Sequence, residues 1–223
     1  MRTITALVLF LLATHISFFQ ETKTFVKLLE NNDLIASNVI IKDTVHKGVN
    51  AVRVLDDGNN TEAKFVKIPD LNFDSGTIEV ELAGAPMTGA SANARGFVGI
   101  AFRISEDDSR FECIYLRPTN GRARNMIRRN HSVQYISYPE FPWFRLRKEF
   151  PKKYETYVDL APGEWTKVKI MVQGETAELY VHGSDQPTLI VDDLKHGGDG
   201  SGSIGLWVGP GTEAYFTNLT VTK

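Results

Sequence analysis

The chain has 223 residues, of which 42% are hydrophobic and 23% charged, and its formal net charge is -2 at pH 7. This composition is typical of a globular protein and excludes a disordered or low-complexity chain. The length fits one all-β domain. Because Cys113 is the only cysteine, an intrachain disulfide is excluded, and we expect the thiol to lie in the core.

The first 20 residues have the pattern of a signal peptide. Arg2 is their only charged residue, and the apolar run at 4–13 is interrupted only by Thr5. This run is much shorter than the ~20 residues that a membrane-spanning helix needs. We therefore predict a signal peptide at 1–20, a single domain at 21–223, and a secreted or periplasmic protein that does not span the membrane.

Short alternating segments separated by turns predict strands along the rest of the chain. They lie at 39–42, 51–55, 65–68, 74–82, 96–103, 110–117, 165–172, 177–182, 189–191, 203–208 and 214–221. Pro69 should end its strand because proline has no backbone N–H to donate. A helical turn is predicted only near 146–153. Many short strands predict an all-β fold, a two-sheet antiparallel β-sandwich or jelly roll.

The central hairpin at 96–117 contains two charged residues in its strands. Pairing Ser105 with Arg110 across the SEDDS turn places Arg103 opposite Glu112, on the face away from the core. A carboxylate beside an arginine stays ionised and suits sugar hydroxyls. A structural ion pair is the alternative. The ligand interpretation predicts that Arg103→Ala weakens binding or turnover more than it lowers stability.

A basic segment follows the hairpin. Residues 117–153 hold ten lysines and arginines against two glutamates, so the segment is near +8, whereas the remainder after residue 20 is near -11. An acidic, exported chain does not favour nucleic acid as a partner. Arginine forks in the loop at 122–131 suit carboxylate or sulfate groups, which favours an anionic carbohydrate partner. The alternative is a solvated charge run.

Aromatic residues follow in the string VQYISYPEFPWFRLRKEF. Pro139 and Pro142 argue against a central strand there and favour an ordered loop. Exposed rings stack on sugars, and Tyr135 and Trp143 are the better ligand candidates. Other rings of the string should fill a secondary core beneath the loop, and Trp165 and Trp207 should belong to the main core.

Several segments resemble the strand series of the concanavalin A-like lectin and glucanase superfamily. They are SGTIEVEL, GFVGIAFR, FECIYLRP, GEWTKVKIMVQGETAELYVHG and GSIGLWVGPGTEAYFTNLTV. Within that superfamily the chain looks most similar to laminin G-like and 3-keto-disaccharide hydrolase domains. The resemblance implies a jelly roll that engages carbohydrate on its concave face. It leaves three functions open, namely glycan binding, glycoside cleavage and adhesion.

The combined predictions give one candidate site. Its ligand-binding candidates are Arg103, Glu112, Arg117, Arg124, Arg128, Arg129, His131, Tyr135 and Trp143. Its catalytic candidates are Glu112, His131 and Glu140, although no E-x-D-x-x-E strand or other carboxylate-pair motif occurs. No cofactor is indicated, and turn chemistry explains the aspartates near GGDGSG better than a metal site does.

Overall fold

The computed structural model describes residues 22–30 and 33–223, so the predicted signal peptide lies outside the described residues. The strands are β1 (Lys23–Phe25), β2 (Ile35–Ser37), β3 (Val39–His46), β4 (Val49–Asp56), β5 (Phe65–Phe73), β6 (Gly76–Pro86), β7 (Val98–Ile104), β8 (Phe111–Leu116), β9 (Val133–Tyr138), β10 (Glu155–Thr156), β11 (Thr166–Gln173), β12 (Thr176–Val181), β13 (Leu189–Val191), β14 (Gly202–Val208) and β15 (Thr212–Thr222). The helices are α1 (Pro118–Gly121), α2 (Met126–Arg129) and α3 (Trp143–Glu149).

The strands form two antiparallel sheets. The first has the order β13-β12-β11-β6-β15-β4-β3, with β1 also paired to β15, and the second has the order β10-β9-β8-β7-β14-β5-β2. One hydrophobic core joins them, with Ile78 and Leu82 from the first sheet and Ile100 and Leu206 from the second. The predicted two-sheet antiparallel sandwich is therefore confirmed.

The two sheets differ in how their outer faces are covered. In β11 of the first sheet, buried and more exposed residues alternate, as expected for a sheet with one solvated face. In β7 and β8 of the second sheet, every residue is buried. The second sheet is therefore covered on both of its faces, and α3 packs against its strand β9.

The predicted register of the central hairpin is wrong by one residue. The turn is as expected, since the backbone N–H of Ser105 donates to the carbonyl of Arg110 at 2.9 Å. Further along, however, Phe102 lies opposite Glu112. Arg103 has a φ of 52° and interrupts the ladder, as a β-bulge does. Arg103 and Glu112 are therefore not cross-strand partners.

Two strands, β5 and β9, differ from what their neighbouring prolines predict. Strand β5 continues through Pro69 to Phe73, because its pairing with β14 is irregular between Ile68 and Phe73 and requires no N–H from the proline. Strand β9 lies between β8 and β10 and ends just before Pro139. The loop predicted for residues 133–138 is therefore a strand.

Within the described residues, no helix is both long and apolar enough to cross a membrane.

Candidate functional site

A cleft of about 690 Å³ lies on the outer face of the second sheet. Trp207, Gly99, Tyr115 and Gln134 form one row across four adjacent strands, β14, β7, β8 and β9. A Cβ atom on Gly99 would lie 2.5 Å from Cβ of Tyr115, so only glycine fits between the neighbouring rings. The rings of Tyr115 and Trp207 are therefore in contact, with centroids 4.7 Å apart, and form an aromatic floor.

The walls of the cleft come from the segment that follows β8 and from the loop before β7. Asn125 caps α2 by accepting a hydrogen bond from the backbone N–H of Arg128 at 3.0 Å. Trp143 begins α3 and is 38% exposed. The residues that extend the cleft beyond its floor include Arg95, Phe97, Arg117, Asn120, Arg128, His131, Trp143 and Arg147.

Arg117 is the most enclosed cation of the cleft, with 5% of its surface exposed. Its guanidinium donates to the hydroxyl of Tyr115 at 2.9 Å, to Oε1 of Gln134 at 3.3 Å and to the carbonyl of His131 at 3.2 Å. It also lies over the rings of Tyr115 and Trp143, at 5.1 and 5.8 Å from their centroids. All of these partners are uncharged acceptors or aromatic faces, which fix the guanidinium without neutralising it.

Two further arginines beside Arg117 also bond to neutral groups. Arg128 donates to Oδ1 of Asn120 at 2.7 Å, and Arg95 donates to backbone carbonyls. Burial, followed by the charges of Arg128 and Arg117, lowers the pKa of Arg95. Among the described residues, no carboxylate forms an ion pair with any of these three arginines. The three cations repel one another, which an anionic ligand would relieve.

A histidine and a buried carboxylate lie together at the edge of the cleft. Nδ1 of His131 is 2.7 Å from Oε2 of Glu155, and Arg147 holds the same oxygen through Nη2 at 2.7 Å. Burial lowers the pKa of His131, an effect that Glu155 opposes and that Arg147 and Arg117 reinforce. The imidazole is therefore neutral at pH 7. A proton on Nδ1, beside the carboxylate, leaves Nε2 as the basic nitrogen.

Glu62, in the turn between β4 and β5, contributes a carboxyl group to the cleft. Its backbone carbonyl accepts a hydrogen bond from Nε1 of Trp207 at 2.8 Å, which fixes the turn against the aromatic floor. Burial raises the pKa of the Glu62 carboxyl, while Arg117 and Lys64 act in the opposite direction. The carboxyl therefore retains its proton at higher pH than an exposed glutamic acid does.

Arg103 and Glu112 lie at one end of the sandwich rather than in the cleft. Arg103 donates hydrogen bonds to the carbonyls of Asp74, Gly174, Gly197 and Gly198. Glu112 is fully buried and accepts from the hydroxyl of Tyr135 at 2.7 Å and from the backbone N–H of His196 at 2.9 Å. Both charged groups fasten the loop before β14 to the sheet.

Four of the predicted ligand residues meet in the cleft, namely Arg117, Arg128, His131 and Trp143. Tyr135 is buried in the core. Arg129 bonds to the hydroxyl of Tyr157 at 3.0 Å. Arg124 and Glu140 are exposed outside the cleft lining.

The three catalytic candidates are therefore in three different places, with Glu112 in the interior, Glu140 in an exposed turn and His131 in the cleft. Sequence reasoning also missed several residues of the cleft, including Glu62, Arg95, Tyr115 and Arg147. Trp207 is buried, as predicted, and also lines the cleft. The basic segment at 117–153 could have indicated Tyr115, because that segment begins two residues after it. No sequence pattern near Glu62 indicates that it belongs to the cleft.

Comparisons with known proteins add information on the fold. No family model matches the sequence, and no curated protein matches it. Among solved structures, the carbohydrate-binding module CBM66 from Bacillus subtilis aligns with a TM-score of 0.58 and 14% identity, over 85% of this chain and 95% of the module. The chain has a jelly-roll fold. A Parabacteroides distasonis protein, described provisionally as a glycosyl hydrolase, aligns with a TM-score of 0.53 and 11% identity, over 91% of this chain and 98% of that protein.

These structural alignments show a shared jelly-roll architecture, and function has to be inferred from the cleft itself.

Glu62 should make stability depend on pH in a direction unusual for a carboxylate. Because its pKa is raised from 4.5 in the folded protein, the stability from protonated Glu62 is present below pH 4.5 and lost as pH rises through the folded-state pKa. We expect Glu62→Gln to be more stable than the unaltered protein at pH 7. Urea unfolding at several pH values tests this, and an advantage that persists below pH 4.5 would contradict the assignment.

Proposed function

We propose that this protein is exported and binds an anionic carbohydrate in the outer cleft of its second sheet. The observation that carries the proposal is the convergence of Arg95, Arg117 and Arg128, which form no ion pair among the described residues, on a floor of aromatic rings. Arginine forks recognise carboxylate and sulfate groups. Because the two floor rings are only 2% and 1% exposed, the aromatic face available to a sugar ring is that of Trp143, which is 38% exposed.

The way in which Arg117 is held supports a role in ligand recognition. A buried cation is costly to desolvate unless an opposite charge accompanies it. Here Tyr115 and Gln134 hold the guanidinium by neutral contacts, and the anion would come from the ligand. Such a preorganised donor loses little conformational freedom on binding.

The exposed ring of Trp143 supports a sugar ring as the ligand body. Its centroid lies 4.8 Å from the guanidinium carbon of Arg147 and 5.8 Å from that of Arg117, so it is held in place by two cations. A fixed, half-exposed indole beside an anion site fits a pyranose that carries an acidic group. The ring would stack against Trp143 while the acidic group meets Arg117.

The part of the proposal that concerns export rests on the pattern of residues 1–20. Expression of the full chain in a bacterial host, followed by N-terminal sequencing of the released protein, tests it. A mature chain that begins near residue 20 supports export, whereas an uncleaved chain retained in the cytoplasm contradicts it.

The two other functions implied by the resemblance have less support from this cleft. Hydrolysis of a glycoside, including the 3-keto-disaccharide type, ordinarily uses a pair of carboxyl groups that flank the scissile bond. Among the described residues that line the cleft, Glu62 carries the only carboxyl group. A laminin G-like adhesion role has no specific residue in its favour.

The binding proposal is tested with a matched panel of oligosaccharides. Oligomers of galacturonate, glucuronate-containing chains, sulfated chains and neutral glucans are titrated by calorimetry at low and high ionic strength. We expect saturable binding of acidic members, with an affinity that falls as salt increases because the recognition is electrostatic. Equal affinity for neutral and acidic chains, or no binding of any acidic chain, would contradict the proposal.

A further inference from the structure

We infer that the cleft cleaves chains of uronic acids by β-elimination, with His131 as the base and Glu62 as the acid. This inference rests on the proposed binding of an anionic carbohydrate and adds a reaction and a substrate class to it. The observation behind it is that one cleft holds an unpaired arginine, a histidine oriented by a buried carboxylate, and one further carboxyl group.

The charge of the cleft discriminates between two ways to break a glycosidic bond. Hydrolysis passes through an oxocarbenium-like state, in which positive charge develops on the sugar ring. Four arginines line this cleft, at 95, 117, 128 and 147. Arg147 is paired with Glu155, and the other three, which form no ion pair among the described residues, would destabilise such a state. Removal of a proton next to a carboxylate instead builds negative charge on that carboxylate, which fixed arginines stabilise.

The side chain of His131 is arranged to accept a proton. Its Nδ1 is buried and faces Glu155, and Glu155 is held by a fork of hydrogen bonds from Arg147. A proton on Nδ1, 2.7 Å from this carboxylate, would leave Nε2 as the base. Burial, Arg147 and Arg117 lower the pKa of the ring and favour its neutral form, whereas Glu155 acts in the opposite direction.

Glu62 is suited to the complementary role. Its carboxyl group shares the cleft with His131 and Arg117, and burial favours its protonated form against the charges of Arg117 and Lys64. A protonated carboxyl can supply the proton that a leaving sugar oxygen requires. Burial thus favours the protonated form of Glu62 and the neutral form of His131, which are the forms that an acid and a base need.

The reaction balances without water, oxidant or cofactor. Nε2 of His131 takes the proton from C5 of a uronate whose carboxylate is bound by Arg117. The electron pair of the C5–H bond forms a C4=C5 double bond, and the bond between C4 and the glycosidic oxygen breaks. That oxygen takes the proton of Glu62. Exchange with solvent then returns a proton to Glu62 and removes one from His131.

The test follows two products in one reaction. The purified full chain is incubated with polygalacturonate, alginate or hyaluronan, and both new reducing ends and the ultraviolet absorbance of the C4=C5 bond are measured. We expect the two signals to rise together on at least one polymer, and we expect none on the same polymer after its carboxyl groups are reduced to alcohols. Reducing ends without absorbance, or turnover of the reduced polymer, would overturn elimination.

Failure of this inference can be separated from failure of the binding proposal. Saturable uronate binding without either product would overturn the elimination reaction and leave binding intact. No binding of any acidic chain would overturn both.

The cleavage rate should depend on pH. It should fall at low pH as His131 becomes protonated and at high pH as Glu62 loses its proton. A rate independent of pH would contradict these roles.

Two variants test whether His131 is the base. His131→Gln should lower the rate by about 100-fold or more, since general acid–base groups contribute at least that much, with little change in Kd. The matched control is His46→Gln, because His46 lies in β3 of the other sheet and contacts the carbonyl of Gly163. An unchanged rate in a folded His131→Gln protein would overturn the role of His131.

Discussion

Replacement of Arg103 by alanine should lower the free energy of unfolding by about 3 kcal/mol or more and leave ligand affinity in the outer cleft unchanged. The guanidinium is 4% exposed and donates to four backbone carbonyls at the end of the sandwich. The variant would remove the one side chain that donates to all four of these carbonyls. This is the opposite of the outcome that the ligand interpretation of Arg103 predicts.

Urea unfolding of Arg103→Ala measures this effect. The matched control is Arg110→Ala, the same substitution at an exposed position of the same hairpin, which should change stability by no more than about 0.5 kcal/mol. A variant with unaltered stability and reduced ligand binding would restore the role in ligand binding that the sequence predicts for Arg103.

Substitution of Arg117 by glutamine should weaken the binding of acidic oligosaccharides by about 2 kcal/mol or more, roughly 30-fold in Kd. The reason is that its buried guanidinium is positioned by Tyr115 and Gln134 and has no carboxylate partner of its own among the described residues. The remaining affinity should also depend less on salt, because one charge has been removed.

Calorimetric titration at two salt concentrations checks the effect of Arg117→Gln. Arg124→Gln is the matched control, since Arg124 belongs to the same basic segment but is exposed outside the cleft lining. Thermal unfolding of both variants separates lost affinity from lost structure. Equal losses in the two variants would show that general positive charge, rather than the cleft, attracts the ligand.

Strand positions were predictable because side chains that alternate between core and solvent leave a period of two in the sequence. The exceptions have causes that this period does not show. The bulge at Arg103 depends on a positive φ in a residue that is not glycine, and sequence patterns do not indicate it. The irregular pairing beyond Ile68 depends on β14, a strand more than 130 residues further along the chain.

The candidate site was predictable only where its residues lie close together in the chain. Arg117, Arg128, His131 and Trp143 all belong to the basic and aromatic segment, so composition alone indicated them. Its other parts depend on strand order, because β14 inserts between β7 and β5 and brings Trp207 beside Tyr115.

The three tryptophans of the chain can report which sheet of the sandwich binds the ligand. Trp143 and Trp207 line the outer cleft, whereas Trp165 lies beside His46 of the first sheet, with ring centroids 5.4 Å apart. Their indole N–H groups give separate signals in a two-dimensional NMR spectrum of nitrogen-labelled protein. Titration with an acidic oligosaccharide should shift the signals of Trp143 and Trp207 and leave Trp165 in place. A shift of Trp165 alone, with the other two unmoved, would contradict binding in the outer cleft.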